Sequence, residues 1–257
     1  MTGEQGPALA VRKAFIEDLP RILELYAMAR VRMKESGNPH QWGDSYPPRE
    51  LVERDIKAGV TYVICTTQTA AATAAVTDSA IAATAAITGS TIAGGVAITG
   101  STVAEDATIT GSTVAGSTVA EGATICGVFM FTTASDPTYA VIRDGSWLND
   151  KPYGTIHRVA GDGMHKGILR TAVTFCVEEL LQKASPDKDP RDADVVGELC
   201  QDRADSKLLS INLKMDTHED NKIMQHALEK NGFVRCGIII TDDGTERIAY
   251  QKEKIWN

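Results

Sequence analysis

The chain is short of rings and has no cysteine motif. Aromatic residues make up 5% of its 257 residues, so a core must be built mainly from aliphatic side chains. The five cysteines, Cys65, Cys126, Cys176, Cys200 and Cys236, are odd in number and never spaced as Cys-x-x-Cys. This excludes a zinc knuckle and a disulfide framework, and points to a reduced, cytoplasmic compartment and no bound metal. Basic residues are outnumbered, 26 against 34 acidic, for a formal net charge of −8. A sequence-independent grip on nucleic acid phosphates is therefore not expected. Met1 to Gln5 lacks a basic-then-apolar leader, in keeping with that compartment. The uncharged run from Ser79 to Ala104 has no basic flank and no Trp or Tyr anchor, and is dotted with Thr, Ser and Gly, so no membrane span is expected.

What is present breaks into two materials. From Thr66 to Thr124, 17 residues are Ala, 15 Thr, 7 Gly and 5 Ser, with ten isolated Val or Ile. Cut at Ile87, Ile98 and Ile109, the segment repeats every eleven residues, each unit opening Ile-Thr-Gly-Ser-Thr. Its apolar residues fall five and six apart, which is neither the helical stripe nor strand alternation. A hexapeptide-type β-helix, a small β-solenoid or hairpin arm, and a poorly ordered low-complexity insert all stay open. A second interruption, Lys183 to Ser206, has seven acids against four bases and reads as a solvated linker. The expected division is one domain from 1–65 and 125–257, with the linker at 183–206, and a repeat insertion at 66–124. The domain without its inserts is near neutral and sized for a single core.

In that domain the patterns alternate between strand and helix. Leu9 to Phe15 reads as a strand, and Asp18 as the cap of a helix with Ile22, Leu23, Leu25, Tyr26 and Ala29 on one face. A polar, aromatic-bearing stretch, Asn38 to Pro48, leads to a short helix at Arg49 to Lys57 and a strand at Val60 to Cys65. Ile125 to Phe131 is the next β-run, so the repeat stands where a hairpin turn belongs. Tyr153 to Ala160 is a strand, followed by a glycine-bearing loop and a helix from about Ile168 to Gln182 with Ala172, Phe175 and Cys176 inward. Unpaired N–H groups and a positive dipole end at such a helix start suit an anion. Ser210 to Met215 is a strand, Glu219 to Lys230 a helix stopped by Asn231-Gly232, and Val234 to Ile240 with Arg247 to Gln251 a closing hairpin.

This order of elements resembles the GNAT acetyltransferase superfamily over the whole chain apart from the two inserts. The most specific piece is Asp216-Thr217-His218-Glu219-Asp220-Asn221-Lys222-Ile223-Met224 through Leu228-Glu229-Lys230-Asn231-Gly232-Phe233. It is similar to the family's Asn-led helix ending Glu-Lys-x-Gly-Phe. Met164 to Leu169 falls where the family has an Arg/Gln-x-x-Gly-x-Gly/Ala loop; Gly167 matches, while Met164 and Leu169 depart from the pattern. The resemblance implies an α/β (α+β) fold, with a mixed, mostly antiparallel sheet flanked by helices and the repeat inserted in a hairpin. It also implies acetyl-CoA as co-substrate and transfer of the acetyl group to a primary amine of a small molecule or a peptide by direct attack. Val159 and Ala160 would pair with the pantetheine arm. Met164, His165, Lys166, Gly167, Ile168, Leu169 and Arg170 would cradle the pyrophosphate, and Asn221 would bond the arm. The tyrosine that the family commonly uses to protonate the departing thiolate falls here on Leu228.

Beside the resemblance stand the residues whose chemistry suits the reaction. His218 and His157 are candidates for proton transfer; a turn-fixing role is as good a reading of His218, and a satisfied structural role is the somewhat better reading of His157. His40, Trp42 and Asp44, in a loop too polar for core and too aromatic for a linker, are candidates for the acceptor pocket, or for a lid in the case of Trp42. A non-catalytic acyl-CoA sensor and an assembly or adhesion protein acting through its repeat arm are the alternatives, and a homodimer is left open.

Overall fold

The computed structural model describes residues 8–67, 123–183 and 209–256. The repeat and most of the acidic linker, with Cys200, lie outside the described residues. Strands β1 (Leu9–Lys13), β2 (Thr61–Thr66), β3 (Ile125–Thr132), β4 (Gly154–Gly161), β5 (Leu209–Thr217), β6 (Val234–Ile240) and β7 (Glu246–Trp256) are joined by helices α1 (Leu19–Glu35), α2 (Arg49–Lys57), α3 (Ile168–Lys183) and α4 (Lys222–Lys230). They form one seven-stranded sheet in the order β1-β2-β3-β4-β5-β7-β6. Every neighbouring pair is antiparallel except β4 and β5.

The apolar pattern explains the layers. Thr61 to Cys65 is buried at every position, as expected of a strand covered on both faces. On one face Tyr62, Ile64, Phe129, Phe131 and Ile156 meet the stripe Leu169, Ala172, Val173, Cys176 and Leu180 of α3, and Leu228 of α4. Their alternates Val63 and Val128 are equally buried on the opposite face, where α1 contacts β3 and α2 contacts β2. β2 and β3 are antiparallel neighbours, and the Thr66 N–H donates to the Thr124 carbonyl at 3.0 Å. The chain therefore leaves and re-enters the sheet at adjacent points.

Two local expectations change, and a segment without a sequence signal finds its place. Asp18 does not cap α1 with its side chain; its carboxylate accepts both guanidinium nitrogens of Arg12, at 2.6 and 2.9 Å, and the Phe15 N–H at 2.8 Å. The last helix starts at Lys222 rather than Glu219, because the Asn221 side chain accepts the Met224 N–H and sets the cap there. The stretch from 133 to 153, which has no periodic pattern, is a cover: Tyr139, Trp147 and Tyr153 pack over Ile239 and Ala249. Arg143 and Ile238 exchange both backbone bonds at 2.8 Å. At Gly145 a Cβ would lie 1.9 Å from the Cys236 carbonyl oxygen, so only glycine allows this cover to close on β6.

Candidate active site

β4 and β5 pair only at Gly154↔Leu213 and Thr155↔Lys214. Beyond Thr155 the two strands part, leaving the β5-facing edge of β4 without a strand partner among the described residues. β4 is also bulged there: Met130 opposes His157, but Val128 opposes Ala160, so β4 spends three residues where β3 spends two. Arg158, at the bulge, has φ 51°. A bulge of this kind twists a strand away from its neighbour and re-aims its backbone groups.

The loop after β4 leads to the start of α3. The buried carboxylate of Asp162 accepts the N–H groups of Met164 and His165 at 2.9 and 3.0 Å and lies 2.7 Å from Nδ1 of His165. Burial works against this carboxylate, yet its hydrogen bonds from His165 and Met164 hold its pKa below the usual value. The first α3 bond runs from the Thr171 N–H to the Gly167 carbonyl at 2.9 Å. No acceptor among the described residues takes the N–H groups of Gly167, Ile168, Leu169 or Arg170. Lys166 and Arg170 are beside them, and Arg32 of α1 donates to the Gly161 carbonyl. The site thus offers free backbone donors, a positive helix end and three cationic side chains, an arrangement that favours an anion. Ile168 packs against Gly127 and Gly161 and Leu169 is buried, so both can contribute backbone only, while Met164 is 74% exposed.

On the other face of β4 lies a polar cluster. Nε2 of His157 is 3.2 Å from Asp136 Oδ2, and its Nδ1 is 3.8 Å from Asp216 Oδ1. Asp216 Oδ1 accepts the hydroxyl of buried Tyr139 at 2.7 Å. The shorter contact makes Nε2 the nitrogen that donates to Asp136, and Nδ1 lies beyond bonding distance of Asp216. The His157 hydrogen bond is the main reason that the Asp136 pKa falls to about 2. Next to this cluster the Lys214 ammonium lies 3.8 Å from the centre of the Trp147 ring and 3.9 Å from that of Tyr153. Burial lowers its pKa to about 8.

The remaining sequence candidates group elsewhere. Asn221 Nδ2 donates to Gln41 Oε1 at 2.8 Å, as does Asn38 Nδ2, tying the 38–46 loop to the start of α4. Both ends of the Asn221 amide are thus engaged within the protein. Nδ1 of His218 accepts the Asp220 N–H at 3.2 Å, the bond of a turn-fixing histidine. Trp42 packs edge-on to Tyr26, with ring centres 5.6 Å apart, and against Tyr46. Asp44 pairs with Lys34 at the surface and His40 is exposed. Leu228 is fully buried in the core beside Phe233. Sequence reasoning found His157 but not Asp136, Tyr139 or Asp216 as its partners. The available signal was Asn212, Lys214 and Asp216 alternating with Ile211, Leu213 and Met215, which marks a polar face on a central strand.

A seven-stranded sheet parted between its fourth and fifth strands, with a glycine-bearing loop and helix start at the mouth, defines a GNAT-like fold. A GNAT-family acetyltransferase from Streptococcus agalactiae is similar to this chain at 22% identity, with 96% of this chain and 95% of that one covered and a TM-score of 0.57. One from Listeria monocytogenes is 16% identical, with 97% and 96% covered and a TM-score of 0.49. At 22% identity the likeness to the Streptococcus agalactiae structure is one of fold. No protein-family model and no curated protein matches the chain.

Proposed function

We propose that the protein is an acetyl-CoA-dependent N-acetyltransferase that acts on a primary amine. The observation that carries this is the parting of β4 and β5 after Thr155↔Lys214, with the unpaired N–H groups of α3 at its mouth and His157 beside it. The Streptococcus agalactiae neighbour, an acetyltransferase of the same fold, supports the reading. Acetyl-CoA, when bound, supplies a thioester carbonyl. The N–H groups of residues 167–170, with Arg32, Lys166 and Arg170, would hold its diphosphate, and the free edge of β4 at Val159 and Ala160 would align its arm. His157 takes the proton from the attacking nitrogen at Nδ1 while Asp136 holds Nε2–H and fixes the tautomer. The imidazolium formed is flanked by both Asp136 and Asp216. Leu228 can donate nothing, so the thiolate takes its proton from the His157 imidazolium or from water.

The test is release of free CoA thiol from acetyl-CoA against a panel of primary amines. Turnover that rises with one class of amine is expected. Tight acetyl-CoA binding with no thiol release would favour the rival reading, a non-catalytic acyl-CoA sensor, which draws its support from the apolar residue at position 228 and from the departures of Met164 and Leu169 from the family's loop pattern.

A further inference from the structure

Arg158 occupies the β4 bulge with a left-handed φ of 51°, a conformation that strains any residue bearing a Cβ. Its side chain shows why the strain persists. One guanidinium nitrogen donates to Oδ2 of Asp55 on α2, with both side chains largely buried. The other is 3.5 Å from the hydroxyl of Tyr46. Among the described residues the other cation at Asp55 is Arg54, 3.7 Å away on an exposed side chain. Relaxing the bulge would withdraw the guanidinium and leave a buried carboxylate with only the long contact to exposed Arg54, which costs more than one strained residue. The pair therefore wins, and the bulge is fixed from the α2 side.

We infer that the Asp55–Arg158 pair positions the β4 bulge for the reaction, holding His157 and the backbone of residues 158–160 in register with the bound thioester. This rests on the acetyltransferase reading. It makes Arg158 and Asp55 positioning residues, acting through β4 rather than touching substrate.

The test uses Asp55→Asn, Arg158→Gly, Arg158→Lys and the double variant Asp55→Asn/Arg158→Gly in the full chain. Glycine tolerates the left-handed backbone and so removes the clamp without adding strain, and the double variant leaves no buried charge unpaired. We expect kcat per folded chain to fall tenfold or more in Asp55→Asn and Arg158→Gly. The double variant should fall no further than the lower single one, and Arg158→Lys should recover part of the rate. The dissociation constant of acetyl-CoA should stay within threefold, and amide exchange of residues 157–160 should quicken about tenfold while that of β6 and β7 is unchanged. A kcat within threefold of the parent in both single variants, or additive losses in the double, overturns the clamp alone. If the unmodified chain releases no CoA thiol with any amine, the acetyltransferase reading fails and the inference falls with it.

Discussion

Gly154 is half of one of the two residue pairs that close the parting strands, and replacing it by alanine should both destabilise the core and disturb the opening. A Cβ at this position would lie 2.5 Å from Cε2 and 2.9 Å from Cζ of Phe131, where carbon contacts settle at roughly 3.5–4.0 Å. About 1 Å must therefore be found. Phe131 cannot supply it, being 3% exposed and packed with Tyr62 on the face that α3 covers. Overpacking of this kind costs about 1–3 kcal/mol. The backbone at Gly154 is not left-handed, so alanine also narrows the unfolded ensemble, which offsets about 0.4–1 kcal/mol. The steric term wins, for a net loss of about 1–2 kcal/mol, or roughly 2–8 °C in Tm. Leucine has no atoms where Phe131 has Cε2 and Cζ. The double variant Gly154→Ala/Phe131→Leu should therefore cost less than the sum of the single changes by about 1 kcal/mol. Because the displacement falls at the closed end of the opening, kcat/KM should drop about tenfold. Differential scanning calorimetry and the thiol-release assay measure both. A Tm for Gly154→Ala at or above the parent value, or additive costs in the double variant, would refute the argument.

His157→Gln should lower kcat by roughly 10² or more with little change in acetyl-CoA affinity, whereas His218→Ala, which removes a turn bond, should change kcat by under about threefold. Asp136, with its pKa held near 2 by His157, contributes stability that is present above the ordinary value of 3.8 and lost as pH falls through about 2; Asp136→Asn should flatten the loss of stability between pH 4 and 2 and leave the parent's acid limb steeper in thermal melts. Gly167→Asp sets a carboxylate against the proposed diphosphate at a φ of 84°, and calorimetry should show acetyl-CoA affinity down tenfold or more. Replacing residues 67–123 by Asn-Gly should keep a cooperative melt and thiol release, because Thr66 and Thr124 are already hydrogen-bonded neighbours and loop closure costs only about 0.6 kcal/mol per doubling of length; aggregation of the shortened chain would place the repeat in the core.

Most elements of the sheet were readable because their signals are local. Val60 to Cys65 is an unbroken β-run, Ile125 to Phe131 is one interrupted only by Gly127, and β6 ends just before the Asp242-Asp243-Gly244 turn. Along α3, Leu169, Ala172, Val173, Cys176 and Leu180 repeat at helical spacing, and all five are buried. The cover from 133 to 153 carries no such signal. Its loop-like composition is accurate, for it has only a three-residue 3-10 turn at Pro137–Tyr139 and an isolated bridge at Arg143. What buries it is the docking of Tyr139, Trp147 and Tyr153 on residues about a hundred positions later, and no window of sequence contains both partners.

The same distinction runs through the site. The free N–H groups of α3 follow from the backbone at any strand-loop-helix junction, so this row of donors could be foreseen even though only Gly167 fits the family's loop pattern. The polar cluster proposed for proton transfer depends on side chains from three separated segments: His157 from β4, Asp136 and Tyr139 from the cover, and Asp216 from β5. Two histidines were candidates in sequence, with the structural reading somewhat favoured at His157. They separate only when the partners are placed, since His218 spends Nδ1 on a neighbouring amide while His157 is held by a carboxylate at Nε2 and keeps Nδ1 open. Arg158 was passed over for the opposite reason. An arginine in a strand reads as surface, and neither its left-handed backbone nor Asp55, 103 residues before it, leaves a local trace. Where the guanidinium of a strand residue is largely buried, as at Arg158, the physical expectation is a partner from another layer, and here that partner, Asp55, is proposed to fix the bulge of β4.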